Sequence, residues 1–202
     1  MPTVEDIRAA TEPITMLTAY DAPSAAVVDE AGVDVVLVGD SLGNAVLGYD
    51  STLPVTVDQI ASHTGAVVRG VSDAVVVADL PFLGYGVTEE QTIENAGRML
   101  KEEGADGVKI ESGRHTVDLT ERLVELGIPV MAHLGLTPQH VKQLGSFDRQ
   151  GTDQHRADEI RDLAVAHEEA GAFSLILEHV PSNLAAKVAE DRSIPVVGIG
   201  AG

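Results

Sequence analysis

VDVVLVGDSLGNAVLGYDSTLPVT, residues 33–56, decides how the rest of the chain is read. Val33 to Val38 is a run of β-branched and aliphatic residues that stops abruptly at Gly39, Asp40 and Ser41. An uninterrupted apolar run of this length reads as a strand buried on both faces, which is the signature of a parallel sheet covered by helices. A parallel α/β fold places its chemistry at the carboxyl ends of its strands, so Asp40 and Ser41 stand where a ligand-binding group belongs. The loop that follows carries a second Asp-Ser pair, Asp50 and Ser51, before Pro54.

Working outward, the same unit repeats. Strands are predicted over Ile14–Tyr20, Val33–Asp40, Ala74–Leu80, Gly107–Ser112, Pro129–Leu134, Ser174–His179 and Pro195–Gly200. Helices are predicted between them over Pro23–Ala31, Val57–Val68 with Thr56 as N-cap, a segment opening at Thr88, Val117–Leu126, Arg156–Ala170 and Ser182–Asp191. Thr88 followed by Gln91 has the spacing of a capping box. Glu30-Ala31-Gly32, Glu103-Gly104, Glu125-Leu126-Gly127 and Glu169-Ala170-Gly171 each close a helical pattern just before a strand, with glycine at the left-handed position past the helix end. Seven βα units in unbroken succession fit a parallel barrel better than an open sheet. Residues 1–202 are read as one barrel domain; a closed (β/α)8 barrel has eight strands, so the eighth unit is expected to be missing from the chain as given.

Composition narrows the function. The chain has 32 acidic and 13 basic residues, a formal net charge of −19, with the acids spread along helices rather than gathered in a tail. Nucleic-acid and anionic-membrane binding both need a basic footprint and are disfavoured. Such self-repulsion is tolerable where salt screens it, so the chain reads as a salt-adapted, halophilic cytoplasmic protein. Dialysis into dilute buffer is expected to unfold it, and an unchanged circular dichroism spectrum would count against that reading. Cysteine is absent, which excludes disulfides, thiolate metal sites and a cysteine nucleophile. No apolar run is long enough for a transmembrane helix.

Read in order, the strand ends present Tyr20-Asp21, Asp40-Ser41, Asp79, Lys109 and Glu111, His133, and Glu178. Asp21 precedes Ala-Pro and reads as a helix cap. The others are more than caps require, since a helix start has no use for His, Lys and Glu at strand ends. Asp40, Asp79 and Glu111 are hard oxygen donors on consecutive strands, suited to one magnesium-type ion with room for water and a chelating substrate. Lys109 and Glu111 are two residues apart on one strand and share a face. Lys109 and His133 could hold substrate oxygens, and Glu178 is a candidate general base. A metal on a 2-oxo acid would stabilise the enolate left by proton loss at C3, which points to carbon–carbon bond chemistry. His63 reads as structural, His167 within His167-Glu168-Glu169 as part of a solvated helix face, and His140 is given no role.

GDSLGN (39–44), YDSTLPVT (49–56), ADLPF (78–82), VKIE (108–111), HLGLTPQ (133–139), LEHVP (177–181) and IPVVGIGAG (194–202) together resemble the 3-methyl-2-oxobutanoate hydroxymethyltransferase family, also called ketopantoate hydroxymethyltransferase. The resemblance runs from about Ile14 to the last residue. It implies a (β/α)8 TIM barrel of the phosphoenolpyruvate/pyruvate type, a homo-oligomer, and magnesium-dependent transfer of a one-carbon unit. The donor would be the reduced pterin 5,10-methylenetetrahydrofolate, the acceptor 3-methyl-2-oxobutanoate, and the product 2-dehydropantoate on the way to pantothenate and coenzyme A. By motif, Asp40 and Asp79 match metal-ligating aspartates that also face substrate, and Glu111 the metal-associated glutamate. Ser41 and Lys109 match substrate-binding positions, Glu178 the proton acceptor, and His133 lines the same site. Two other readings stand beside it: a carbon–carbon lyase on a 2-oxo acid, isocitrate lyase-like, and a truncated barrel serving as a non-catalytic subunit.

Overall fold

The computed structural model describes residues 2–202. Seven parallel strands, each paired with its neighbour in chain order, form a nearly closed barrel wrapped by helices. The order is α1 (Val4–Arg8), β1 (Met16–Thr18), α2 (Ala22–Glu30), β2 (Val35–Val38), α3 (Leu42–Ala45), α4 (Val57–Gly70), β3 (Val75–Asp79) and α5 (Glu89–Lys101). It continues with β4 (Gly107–Glu111), α6 (Val117–Glu125), β5 (Val130–Gly135), α7 (Val141–Leu144), α8 (Gln154–Glu169), β6 (Ser174–Glu178), α9 (Ser182–Asp191) and β7 (Val196–Ile199). Single 3₁₀ turns, Arg114–Thr116 and Pro138–His140, follow β4 and β5. No helix among the described residues is long and apolar enough to cross a membrane.

All seven predicted strands are present, six of them shorter than predicted and β5 of the same length but shifted by one residue. The helices α1, α3 and α7 are additional, being too short for a periodic signal. The period-2 alternation of strand side chains sorts the core into two compartments. Val35, Leu37, Val75, Val77, Met131 and Ile176 point into the barrel, where they meet Ile7 of α1. Val36, Val38 and Val76 face outward onto Ala25 and Val67 of the helical layer. Ala78, Val108, Ile110 and Val130 do the same against Ile60, Met99 and Leu123. The whole of β2 is buried, and each valine so enclosed contributes about 1.5 kcal/mol or more. Both faces are therefore apolar, as the opening stretch requires.

Gly32, Gly104, Gly127 and Gly171, the four glycines of the repeated junction, all have positive φ, from 79° to 93°. Asp21 caps α2 in a reciprocal box with Ser24, as read from sequence. Thr88 caps α5 through Gln91 N–H, but the reciprocal bond is missing because the Gln91 side chain donates to Leu83 O instead. The capping box expected there is half formed.

His167 is a larger correction. It is fully buried rather than solvated. Ile160, Leu163, Ala164 and His167 are the buried positions of α8, and their i, i+3, i+4, i+7 spacing carries the histidine onto the core face despite the glutamates beside it. Burial holds the ring neutral and its pKa below the ordinary value, with the Gly113 carbonyl pulling weakly the other way. Nε2–H then donates to Gly113 O at 3.2 Å, leaving Nδ1 to accept from the Thr120 hydroxyl at 3.0 Å. A depressed histidine stabilises the fold above its unfolded pKa of about 6.5, and the contribution is lost as pH falls through the lower folded value. Acidification from pH 7 to 5 is expected to cost the parent more stability than His167→Gln. Parallel urea-unfolding curves for the two proteins would contradict this.

Candidate active site

Side-chain parity delivers the site. The strand positions that point inward in β3 to β6 end, at the carboxyl side, in Asp79, Lys109, Glu111, His133 and Glu178. Asp79 pairs in register with Lys109, Glu111 with His133, and Gly135 with Glu178. Together with Asp40 and Ser41 just past β2, they line one cavity of about 250 Å³ in the barrel mouth. Clefts of larger volume open elsewhere, for example between the loop after α7 and α9, but this one gathers the buried ionisable groups. All seven residues singled out from sequence meet in it.

The centre is a buried ion pair. Lys109 Nζ lies 2.8 Å from Asp79 Oδ2, with both side chains almost without solvent exposure. Asp40 N–H donates to the same oxygen at 3.1 Å. Burial pushes the Asp79 carboxyl well above the usual carboxylate range; Lys109 opposes the rise and Asp40 adds to it. Burial by itself would lower the Lys109 ammonium, yet Asp79, Asp40 and Glu111 outweigh it and hold the lysine above its ordinary value. Lys109 is thus a fixed positive charge in a low-dielectric pocket.

The same ammonium sets the state of His133. Lys109 Nζ is 3.4 Å from His133 Nδ1 and has only protons to offer, so Nδ1 accepts and Nε2 carries the ring proton. Nε2 faces Glu178 Oε2 at 3.2 Å, but off the direction of a hydrogen bond, and this buried nitrogen has no other partner among the described residues. It is a donor aimed between Glu178 and the cavity. Gly135 makes the approach possible: its φ is +94°, and a Cβ there would run into the Glu178 carbonyl oxygen. Gly135→Ala is expected to destabilise the protein by about 2–5 kcal/mol from strain and overpacking combined. A urea midpoint equal to the parent's would refute the close approach.

Asp79 Oδ1 is buried without a partner. A carboxyl oxygen left bare in a pocket, beside a second aspartate, suits a hard divalent cation, whose charge would favour the ionised form that burial disfavours. Glu111 is held differently. Its two oxygens accept the Gln139 N–H at 3.1 Å each, and His140 Nδ1 lies 3.3 Å from Oε2. Among the described residues no three His, Cys, Asp or Glu side chains are arranged to hold a metal ion. The donor set that fits is the pair Asp40 and Asp79, with Glu111 close by but turned to the loop after β5.

Ser41 N-caps α3 by position, but its side chain makes no capping bond. Its hydroxyl instead lies 2.8 Å from Tyr20 Oη at the cavity wall. Sequence reasoning missed four neighbours. Thr52 lines the cavity with a buried hydroxyl that has no partner, whereas Asp50 next to it in the same motif is exposed. Gln139 and Tyr85 are buried behind the carboxylates. His140, given no role from sequence, is half-buried against Glu111, and the bond to that carboxylate raises its pKa. None of the four ends a strand, so the strand-end reading could not reach them.

The family model described as Ketopantoate hydroxymethyltransferase matches residues 1–202. The chain belongs to this family. It is 66% identical over 208 residues to the 3-methyl-2-oxobutanoate hydroxymethyltransferase of Halobacterium salinarum, covering all of this chain and 76% of that protein. The same-named protein of Syntrophus aciditrophicus is 53% identical over 95% of this chain and 70% of its own length. Among solved structures, a phosphoenolpyruvate phosphomutase from Streptomyces platensis subsp. rosaceus superposes with a TM-score of 0.73 at 17% identity, covering 96% of this chain and 71% of that one. A 2,3-dimethylmalate lyase of the PEP mutase/isocitrate lyase superfamily superposes with a TM-score of 0.68 at 18% identity, over 98% of this chain and 72% of that one. These last two likenesses establish the barrel type alone, and the lyase relationship suggested by sequence is one of fold.

Proposed function

We propose that this family member transfers a hydroxymethyl group from 5,10-methylenetetrahydrofolate to 3-methyl-2-oxobutanoate, giving 2-dehydropantoate for pantothenate and coenzyme A formation. The observation that carries the reading is the single cavity in which a candidate base, Glu178, faces a fixed cation, Lys109, and a pair of aspartates. Magnesium, when held by Asp40 and Asp79, would supply positive charge against the 2-oxo acid oxygens and so favour loss of the C3 proton.

The chain's own groups account for the remaining requirements. Lys109 offers a buried ammonium to the substrate carboxylate or keto oxygen, worth more here than in water because the pocket excludes solvent. Ser41 and Thr52 offer hydroxyls at the wall. Glu178 takes the proton from C3. His133 presents its unpartnered Nε2–H beside Glu178, free to donate to a substrate oxygen. The resulting C3 carbanion equivalent bonds to the donor methylene carbon while the two C–N bonds of the donor break. One water supplies the new hydroxyl. Its other hydrogen and the proton taken from C3 end on the two pterin nitrogens, so atoms and charge balance.

The test is product formation from 3-methyl-2-oxobutanoate and 5,10-methylenetetrahydrofolate, with and without added Mg²⁺ after chelation, at high salt. Formation of 2-dehydropantoate only with both the pterin and the metal is expected. Equal rates with and without metal would remove the cation from the scheme, and no product under any condition would remove the reaction.

A further inference from the structure

The Gln139 side chain makes three hydrogen bonds beside the cavity, none of them to Lys109 or Glu178. It sits in the 3₁₀ turn after β5 and is 2% exposed. Its side-chain Nε2 donates to Asp40 Oδ2 at 2.9 Å and to Leu80 O at 3.0 Å. Both partners are acceptors only, so the amide orientation is fixed by chemistry. Its Oε1 faces the Tyr85 hydroxyl at 3.1 Å, and that hydroxyl also reaches Glu111 O at 3.2 Å. Its backbone N–H supplies both oxygens of Glu111. One loop residue therefore ties together groups at the carboxyl ends of β2, β3 and β4, including an aspartate 99 residues away in sequence.

The consequence for the carboxylates is geometric. With Oδ2 engaged by the amide, Asp40 has Oδ1 left over. Asp79 is in the same condition, its Oδ2 taken by Lys109 and by Asp40 N–H and its Oδ1 bare. We propose that Gln139 is the positioning residue of this acidic centre, its side chain holding Asp40 in the orientation that receives a hard divalent cation while its backbone N–H keeps Glu111 to one side. The inference rests on the metal reading of the proposed function. Groups that orient a ligand carboxylate in this way change metal affinity by about 10–100-fold when lost.

The test reads metal binding directly, by the loss of the free Mn²⁺ electron paramagnetic resonance signal on titration of chelator-treated protein at high salt. In Gln139→Met, a neutral replacement of similar length, the Mn²⁺ dissociation constant is expected to rise about 10–100-fold. In activity assays the Mg²⁺ concentration for half-maximal rate should rise in parallel, with kcat recovering to within a few-fold at saturating Mg²⁺. A merely structural residue would lower the number of sites titrated and leave the constant alone. Should Gln139→Met fail to fold, Tyr85→Phe decides: it removes the hydroxyl that holds the far side of the amide, at Oε1, and is expected to weaken Mn²⁺ several-fold in the same sense. An unchanged constant in the folded variant, with the parent binding Mn²⁺, overturns the role of Gln139 alone. A parent protein that binds no Mn²⁺ overturns the metal reading and this inference with it.

Discussion

Replacing Lys109 with methionine is expected to destabilise the protein by about 3–5 kcal/mol, the cost typical of removing one partner from a buried ion pair. It should also lower kcat/KM by about 10²–10³-fold through loss of a preorganised positive charge. The structural cause is specific. Asp79 is 1% exposed, its Oδ1 has no partner, and without the lysine its Oδ2 keeps only the Asp40 N–H. The destabilisation therefore belongs to the uncompensated acid rather than to lost packing, since methionine refills the volume. That attribution has its own check. Adding Asp79→Asn to Lys109→Met removes the stranded charge, so the double variant should recover most of the stability while remaining inactive. Urea unfolding of the four proteins gives the coupling directly. Additive losses would show that the pair is not the unit described here.

Glu178→Gln is expected to lower turnover by about 10²–10⁴-fold, the range for loss of a general base. Glutamine keeps the size and leaves the paired centre of Asp79 and Lys109 untouched, so stability should stay close to the parent's. Mn²⁺ binding should survive for the same reason, because Glu178 lies across the cavity beside His133 and outside the aspartate pair. The C3 proton of 3-methyl-2-oxobutanoate should cease to exchange with solvent in this variant. Full exchange with turnover lost would assign the base to another group and leave Glu178 a role only after proton removal.

The barrel was legible in the sequence because its middle strands, β2 to β6, are buried on both faces. Their sequences are dominated by apolar residues, β2, β4, β5 and β6 follow a glycine junction, and each of the five carries an ionisable residue at or near its end. The same parity that buries Val75 and Val77 inside the barrel brings Asp79 to its mouth, so the strand-end residues could be collected without coordinates. What escaped lay off the strands. Gln139 and Thr52 are uncharged loop residues whose importance comes from where the chain folds back, over distances that no local pattern encodes. His167 escaped for another reason: its glutamate neighbours suggested a solvated face, while the spacing from Ile160 and Leu163 placed it in the core. Glu111 is the intermediate case. Its strand position was readable, but its turn toward the Gln139 N–H and His140 depends on a loop conformation. The two-aspartate centre, with the glutamate held to one side, is therefore a result of the fold rather than of the motif.

The account stands on the claim that this cavity removes a proton from C3 of a 2-oxo acid. Incubating the protein with 3-methyl-2-oxobutanoate and Mg²⁺ in D₂O, without any pterin, isolates that step from the transfer that follows. Loss of the C3–H signal in the proton spectrum, dependent on the metal and absent in Glu178→Gln, is the result predicted. A C3–H signal that persists in the parent under conditions where 2-dehydropantoate forms once the pterin is added would contradict it.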